Sequence, residues 1–158
     1  MRCKRNILPG KLDSPESGIN IKAKGSYVLL IELPKGEEIL IGKLGFITFP
    51  QGFYAYVGSA MNGLSPRINY HLRHKARPHW HIDYFLAKAS IREIIVSETG
   101  ARVECALAHA LAKRLKPIPG FGCTDCKCHS HLYFSEEQDK LREEIIKAFS
   151  RIAYLVRL

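Results

Sequence analysis

The sequence lacks acid where it is richest in base. Between Ile39 and Ile82 there is no aspartate or glutamate, while the same stretch carries Lys43, Arg67, Arg73, Lys75 and Arg77, with His71, His74, His79 and His81. A randomly mixed surface rarely leaves such a gap. With a formal net charge of +9, the pattern points to a polyanionic partner such as nucleic acid, DNA or RNA alike; a solubilising basic face is the alternative. Also missing is any apolar run long enough to span a bilayer, so no membrane partner is expected. The opening MRCKRNILPGKLDSPESG has no apolar segment behind its charges and does not read as a secretory signal. The cysteine count is odd, at 5, and Cys123, Cys126 and Cys128 crowd together. Without an export signal this argues against a disulfide framework. It favours a cytoplasmic protein with metal-binding or structural thiols.

What is present suits one globular domain. The chain has 158 residues, 46% of them hydrophobic and 25% charged, enough to bury a core without covalent staples. Residues 1–24 are polar and hold Pro9, Gly10, Pro15 and Gly18, and are expected to form a loose arm; residues 25–158 form the domain. GSYVLLIEL reads as a buried strand, ILIGKLGFITF as one or two strands broken near Gly42 and Gly45, and FYAYVG as a strand ending at Gly58. Ser65 and Pro66 predict a helix start, with Leu64, Ile68 and Leu72 inward and Arg67, His71 and His74 on a neighbouring cationic stripe. HWHIDYFLAKA leans to a short helix, IREIIVSE to a strand and RVECALAHALAKRL to a helix with Val103, Leu107, Ala110 and Leu111 inward. KPIPGFGCTDCKCHS is too rich in proline and glycine for regular structure, and HLYF reads as a short edge strand. Ser135 and Gln138 form a capping box opening a long amphipathic helix with Leu141, Ile145, Phe149, Ile152 and Val156 on its core stripe. The fold class is therefore α/β (α+β), a small antiparallel β-sheet flanked by helices with a long C-terminal amphipathic helix.

One stretch, YAYVGSAMNGLSPRINYHLRHK at 54–75, sets phenols, a glycine and a row of cations side by side. GSY at 25–27, YVG at 56–58, Arg67, His71 and Glu104 together resemble the GIY-YIG nuclease superfamily. The blocks YVGSAMNGL, HWHIDYF, VECALA and PGFGCTDCKCHSHLYF, taken in order, resemble more narrowly a small branch of it, the domain-of-unknown-function family 123. Members of that branch occur alone or fused to DNA-repair glycosylases. The resemblance runs from about Gly25 to Phe134 and implies a GIY-YIG-like fold. It also implies a metal-dependent endonuclease acting on DNA, with repair proteins as partners. Carried over residue by residue, it makes Tyr27, Tyr56, Arg67, His71 and Glu104 the active site.

The chemistry of those residue types agrees. Phosphodiester hydrolysis needs a nucleophilic water, a holder for growing negative charge and help for the leaving oxygen. Arg67 offers a planar fork of donors. Glu104 can hold Mg²⁺ or Mn²⁺, which keeps several of its own waters. A phenol accepts a proton from water only if its pKa falls, and Arg67, nearby histidines and the metal are the means expected to lower it. Gly58 is expected to turn the backbone sharply towards substrate. Ser59 and Asn62 can donate to phosphate; Arg73, His74, Lys75, Arg77, His79 and His81 complete the expected nucleic-acid surface. His79 and His81 can also serve as a proton shuttle, stack on a base or be structural, with Asp83 orienting one of them.

Two departures leave alternatives open. Tyr27 and Tyr56 lie further apart than the two half-motifs usually do, which reads as an inserted hairpin from Pro34 to Gly52; otherwise Tyr54 is the second phenol. The late asparagine of many superfamily members is missing, and its place is taken by the cysteine-rich loop. There Cys123, Cys126, Cys128 and His131 have the residue types of a zinc site, which Cys105 could complete from another element; reduced thiols packing the loop are the alternative. The rival functions are a non-catalytic nucleic-acid-binding module on a degenerate nuclease fold and a zinc-stabilised interaction domain.

Overall fold

The computed structural model describes residues 2–7 and 22–157, with side chains at 22–152. Strand β2 (Gly25–Leu33) is apolar almost throughout because both of its faces are covered. Tyr27, Leu29, Ile31 and Leu33 enter one core, and Val28 and Leu30 enter the other. Around it lie β1 (Arg2–Ile7), β5 (Gly52–Ala60), β6 (Ser90–Glu98), β7 (Lys116–Pro117) and β8 (Leu132–Ser135) in the order β1-β6-β2-β5-β8-β7. Neighbouring strands are all antiparallel. Between β2 and β5 the chain makes a separate two-stranded hairpin, β3 (Glu37–Leu40) and β4 (Phe46–Phe49), joined through a 3₁₀ turn at Gly42–Leu44. This is the insertion expected at 34–52.

Helices α1 (Leu64–Leu72) and α2 (His81–Leu86) lie with the hairpin on the first face, where Leu64, Ile68, Ile82, Phe85 and Phe49 close over Tyr27, Leu29 and Ile31. Helices α3 (Glu104–Ala112) and α4 (Gln138–Arg157) cover the second face. There Leu107, Leu111, Leu141, Ile145, Phe149 and Ile152 pack on Val28, Leu30, Val57 and Ile95. Each such side chain contributes roughly 1.5–3 kcal/mol on burial. Arg142 fastens α4 to the sheet: its Nε donates to both oxygens of the buried Glu93 at 3.1 and 2.8 Å, and its Nη2 to Oε1 at 2.7 Å. None of the helices among the described residues is long and apolar enough to cross a membrane.

Several local expectations change. The polar N-terminus is not wholly irregular, because residues 2–7 add an edge strand beside β6; residues 8–21 lie outside the described residues. Helix α1 begins at Leu64, not after Ser65: Gly63 turns the chain at a φ of 111°, and the Leu64 N–H donates to Ala23 O at 2.9 Å. Ser65 Oγ instead accepts from Asn69 Nδ2 at 3.2 Å. On that helix His71, not Leu72, faces inward. Strand β8 is not an edge, since β7 pairs with its outer side. The Ser135 hydroxyl bonds to Glu137, accepting from its N–H and donating to its C=O, so no Ser135–Gln138 box forms. The side chain of Val156 lies outside the described residues.

Candidate functional site

Because the hairpin loops out, β2 and β5 pair directly, with Tyr27 opposite Gly58 and Tyr56 opposite Leu29. Gly58 lies inside a strand, not at a turn. It is required for a different reason: a Cβ there would sit 2.3 Å from Cζ and Oη of Tyr27, so the phenol ring rests on bare backbone. Thus placed, Tyr27 Oη meets His71 Nε2 at 2.6 Å. Tyr56 turns its ring edge-on to His71, with centroids 5.9 Å apart. Tyr54 is fully buried and donates to Pro50 O at 2.6 Å, so it is not the second phenol of the site.

Strand β5 pairs with β8 only from Phe53 to Tyr56. Beyond that point the chain before β8 departs into the cysteine-rich loop, and a cleft of about 430 Å³ opens between the loop and α1. Tyr27, Tyr56, Arg67, His71 and Glu104 all line it. They come from β2, β5, α1 and the first turn of α3. Ser59, Asn62, His79 and His81 line it as well. Arg73, His74 and Lys75 do not; they border a separate depression of about 310 Å³ beyond His71. Lys75 is folded back, its ammonium donating to Tyr70 O and Arg73 O and lying 3.9 Å over the Tyr70 ring. Arg77 is exposed and borders neither hollow.

The chemistry of individual groups differs from a simple cationic stripe. Burial lowers the His71 pKa to about 4, with Arg67 and Lys75 adding to the effect and Asp83 opposing it. His71 is therefore neutral at pH 7, and its Nδ1 has no hydrogen-bond partner. Burial also raises both phenols; around Tyr27 the Tyr56 phenol adds to this, around Tyr56 the Glu104 carboxylate does, and Arg67 opposes it at both. The protein by itself thus holds the two hydroxyls protonated. Arg67 is steadied by its guanidinium lying 4.4 Å over the Trp80 ring. Trp80 is held in turn by Asp83, whose Oδ2 accepts from the backbone N–H of His79 and Trp80 and from the Tyr70 hydroxyl at 2.9, 3.0 and 2.8 Å. Asp83 orients the loop backbone and not a histidine ring. His81 is aimed by the opposite wall: the Gly122 N–H donates to its Nδ1 at 2.9 Å, which leaves the proton of the neutral ring on Nε2. Gly122, at a φ of +74°, approaches so near that a Cβ would lie 3.1 Å from His131 and 3.4 Å from Tyr56.

The loop corrects the expected ligand set. Cys105, Cys126, Cys128 and His131 bring three sulfurs and a ring nitrogen within 4.8 Å of one another, a group that could hold a metal ion. Cys123 is not part of it; its thiol donates to Phe121 O at 3.2 Å. Sequence spacing favoured Cys123 because it is near, whereas α3 delivers Cys105 from across the fold. Trp80, Arg102 and Asp125 also line the cleft and were not singled out as site residues. The signal for Trp80 was its place between two histidines, and for Asp125 its place inside the cysteine run.

No curated protein and no solved structure matches the chain. A family does, over residues 26–154, which include every residue of the cleft named above and all four members of the cysteine–histidine group. The chain belongs to the family described as Domain of unknown function DUF123.

Proposed function

We propose that the cleft hydrolyses phosphodiester bonds of DNA as a metal-dependent endonuclease of the GIY-YIG type. The observation that carries this reading is the convergence of Tyr27, Tyr56, Arg67, His71 and Glu104 on one cleft from four separate elements. Mg²⁺ or Mn²⁺ fits the donor chemistry beside Glu104, since Asp125 adds a second carboxylate to the lining and hard cations take oxygen ligands and waters. When bound there, such an ion supplies charge neutralisation at the phosphate. Arg67, braced on Trp80, holds a non-bridging phosphate oxygen. Attacking water bonds to phosphorus and passes its proton to Tyr27 Oη, while the Tyr27 proton moves to the neutral His71 Nε2 2.6 Å away. The phosphorus bond to the leaving oxygen breaks, and that oxygen takes a proton from solvent. A buried phenol with a raised pKa is a poor base alone, and so is an imidazole whose pKa is lowered to about 4; the relay therefore needs the negative charge of the bound phosphate to offset Arg67 and Lys75 and raise the basicity of His71. Tyr56 and the Nε2–H of His81 supply donors to the phosphate. The repair setting, and partnership with repair proteins, rest on resemblance to a branch whose members occur fused to DNA-repair glycosylases.

The other reading, a DNA-binding module without chemistry, is favoured by one observation: burial pushes both phenols away from the range of a base. Purified protein incubated with duplex, flap, junction and single-stranded DNA, with Mg²⁺ or Mn²⁺, separates the two. The nuclease reading expects nicking that Glu104→Ala abolishes with DNA affinity kept. Equal binding by both proteins with no cleavage of any substrate supports the binding module.

A further inference from the structure

The four-membered cysteine–histidine group lies against the cleft but its donors are the wrong kind for the ion expected at Glu104. Three sulfurs and an imidazole suit a soft or borderline cation, not Mg²⁺. Zinc bonds of roughly 2.3 Å to sulfur and 2.0–2.1 Å to nitrogen put tetrahedral donor pairs roughly 3.5–3.8 Å apart. Cys126 Sγ and His131 Nε2 stand 3.4 Å apart, and all four donors lie within 4.8 Å. Small side-chain rotations therefore complete a tetrahedron. We propose that Cys105, Cys126, Cys128 and His131 hold one Zn²⁺ in a closed structural site that pins the Glu104 turn of α3 to the wall of the cleft.

The pinning follows from where the ligands are attached. Cys105 is the second residue of α3 and adjoins Glu104. Cys126 and Cys128 belong to the loop. His131 precedes β8, where its C=O accepts from Val57 N–H at 2.9 Å and its N–H donates to Phe121 O at 2.8 Å. Val57 adjoins Tyr56. One ion thus ties the residue after the carboxylate to the strand of the phenol, through a loop otherwise rich in glycine and proline. Four protein ligands fill a tetrahedral ion, so no position is left for substrate or an activated water, and the site is structural. On binding, the three thiols release three protons to solvent and the imidazole binds as the neutral ring. The existence of the zinc site does not depend on the proposed nuclease activity; only the importance given to Glu104 does.

Metal analysis of protein produced with zinc available is expected to give about one zinc per chain, and cobalt loading the visible absorption bands of a tetrahedral thiolate site. Cys105→Ser and Cys128→Ser are expected to lose the ion and Cys123→Ser to keep it. Zinc-free protein with its thiols open to a thiol reagent, or zinc lost with Cys123→Ser and retained with Cys105→Ser, would overturn the site. Because the serine variants can fail to fold, the pin is tested on wild type stripped with a chelator and then reloaded. Hydrogen exchange of the Leu107 amide, bonded to Val103 O at 2.9 Å, and of the Val57 amide is expected to accelerate at least tenfold on stripping and to recover with zinc. Equal exchange with and without the ion would overturn the pin. Absence of DNA cleavage by the zinc-loaded protein would count against the nuclease reading and leave these readouts unchanged.

Discussion

His71 should make the protein lose stability in mild acid, where most carboxylates are still ionised. The residue is 4% exposed, and burial beside Arg67 and Lys75 lowers its pKa from 6.5 to about 4. Between those values the unfolded chain binds a proton that the folded chain refuses. Stability therefore rises with pH through that window and is lost as the pH falls from about 6.5 towards 4. Working the linkage for one site gives about 2 kcal/mol less stability at pH 5 than at pH 7 from this residue alone. The experiment compares urea unfolding of wild type and His71→Gln at both pH values. Glutamine carries its amide about where the ring carries Nε2, so it can still bond the Tyr27 hydroxyl but does not titrate. The expected outcome is a pH-dependent loss about 2 kcal/mol smaller in the variant. Equal losses in the two proteins would refute the claim that a neutral, proton-refusing imidazole sits beside Tyr27.

Two further predictions follow from single contacts. Gly58→Ala places a methyl 2.3 Å from Tyr27 Cζ and Oη. It is expected to cost about 1–3 kcal/mol in denaturant melts, and to add no such cost on a Tyr27→Ala background, where the clash is gone. Arg142→Ala strands the buried Glu93 carboxylate and is expected to destabilise by about 3 kcal/mol at pH 7, with the loss shrinking in Glu93→Gln; a change near zero in thermal unfolding would contradict the role given to this clasp.

Much of the framework was legible because the strong signals were local. The apolar run from Tyr27 to Ile31 inside GSYVLLIEL read as a buried strand, and the four-residue spacing of Leu141, Ile145 and Phe149 marked the long helix. The pairing of the Tyr27 strand with the Tyr56 strand could be inferred only by treating 34–52 as an insertion, which the hairpin supports. What remained hidden depended on tertiary placement. Positions 71 and 72 fit the inward stripe of α1 equally well, and the choice falls on His71 because the Tyr27 hydroxyl meets it there. Gly58 looked like a turn glycine; its real constraint is a ring arriving from the neighbouring strand. Cys105 could be named from sequence as a ligand completing the site from another element, but nothing local showed that Cys123 drops out of the set. The polar segment at 2–7 showed no apolar alternation, yet it pairs with β6 through backbone bonds that need none.

The central claim is that Glu104 serves chemistry in a cleft shared with Tyr27, Tyr56 and Arg67. Its most direct test is divalent-metal-dependent nicking of a DNA panel by zinc-loaded wild type against Glu104→Ala, with DNA affinity measured in parallel. Cleavage by the wild type is expected, with a loss of at least a hundredfold in the variant (about 3 kcal/mol of transition-state stabilisation) and unchanged affinity. Cleavage at equal rates by both proteins would contradict the claim.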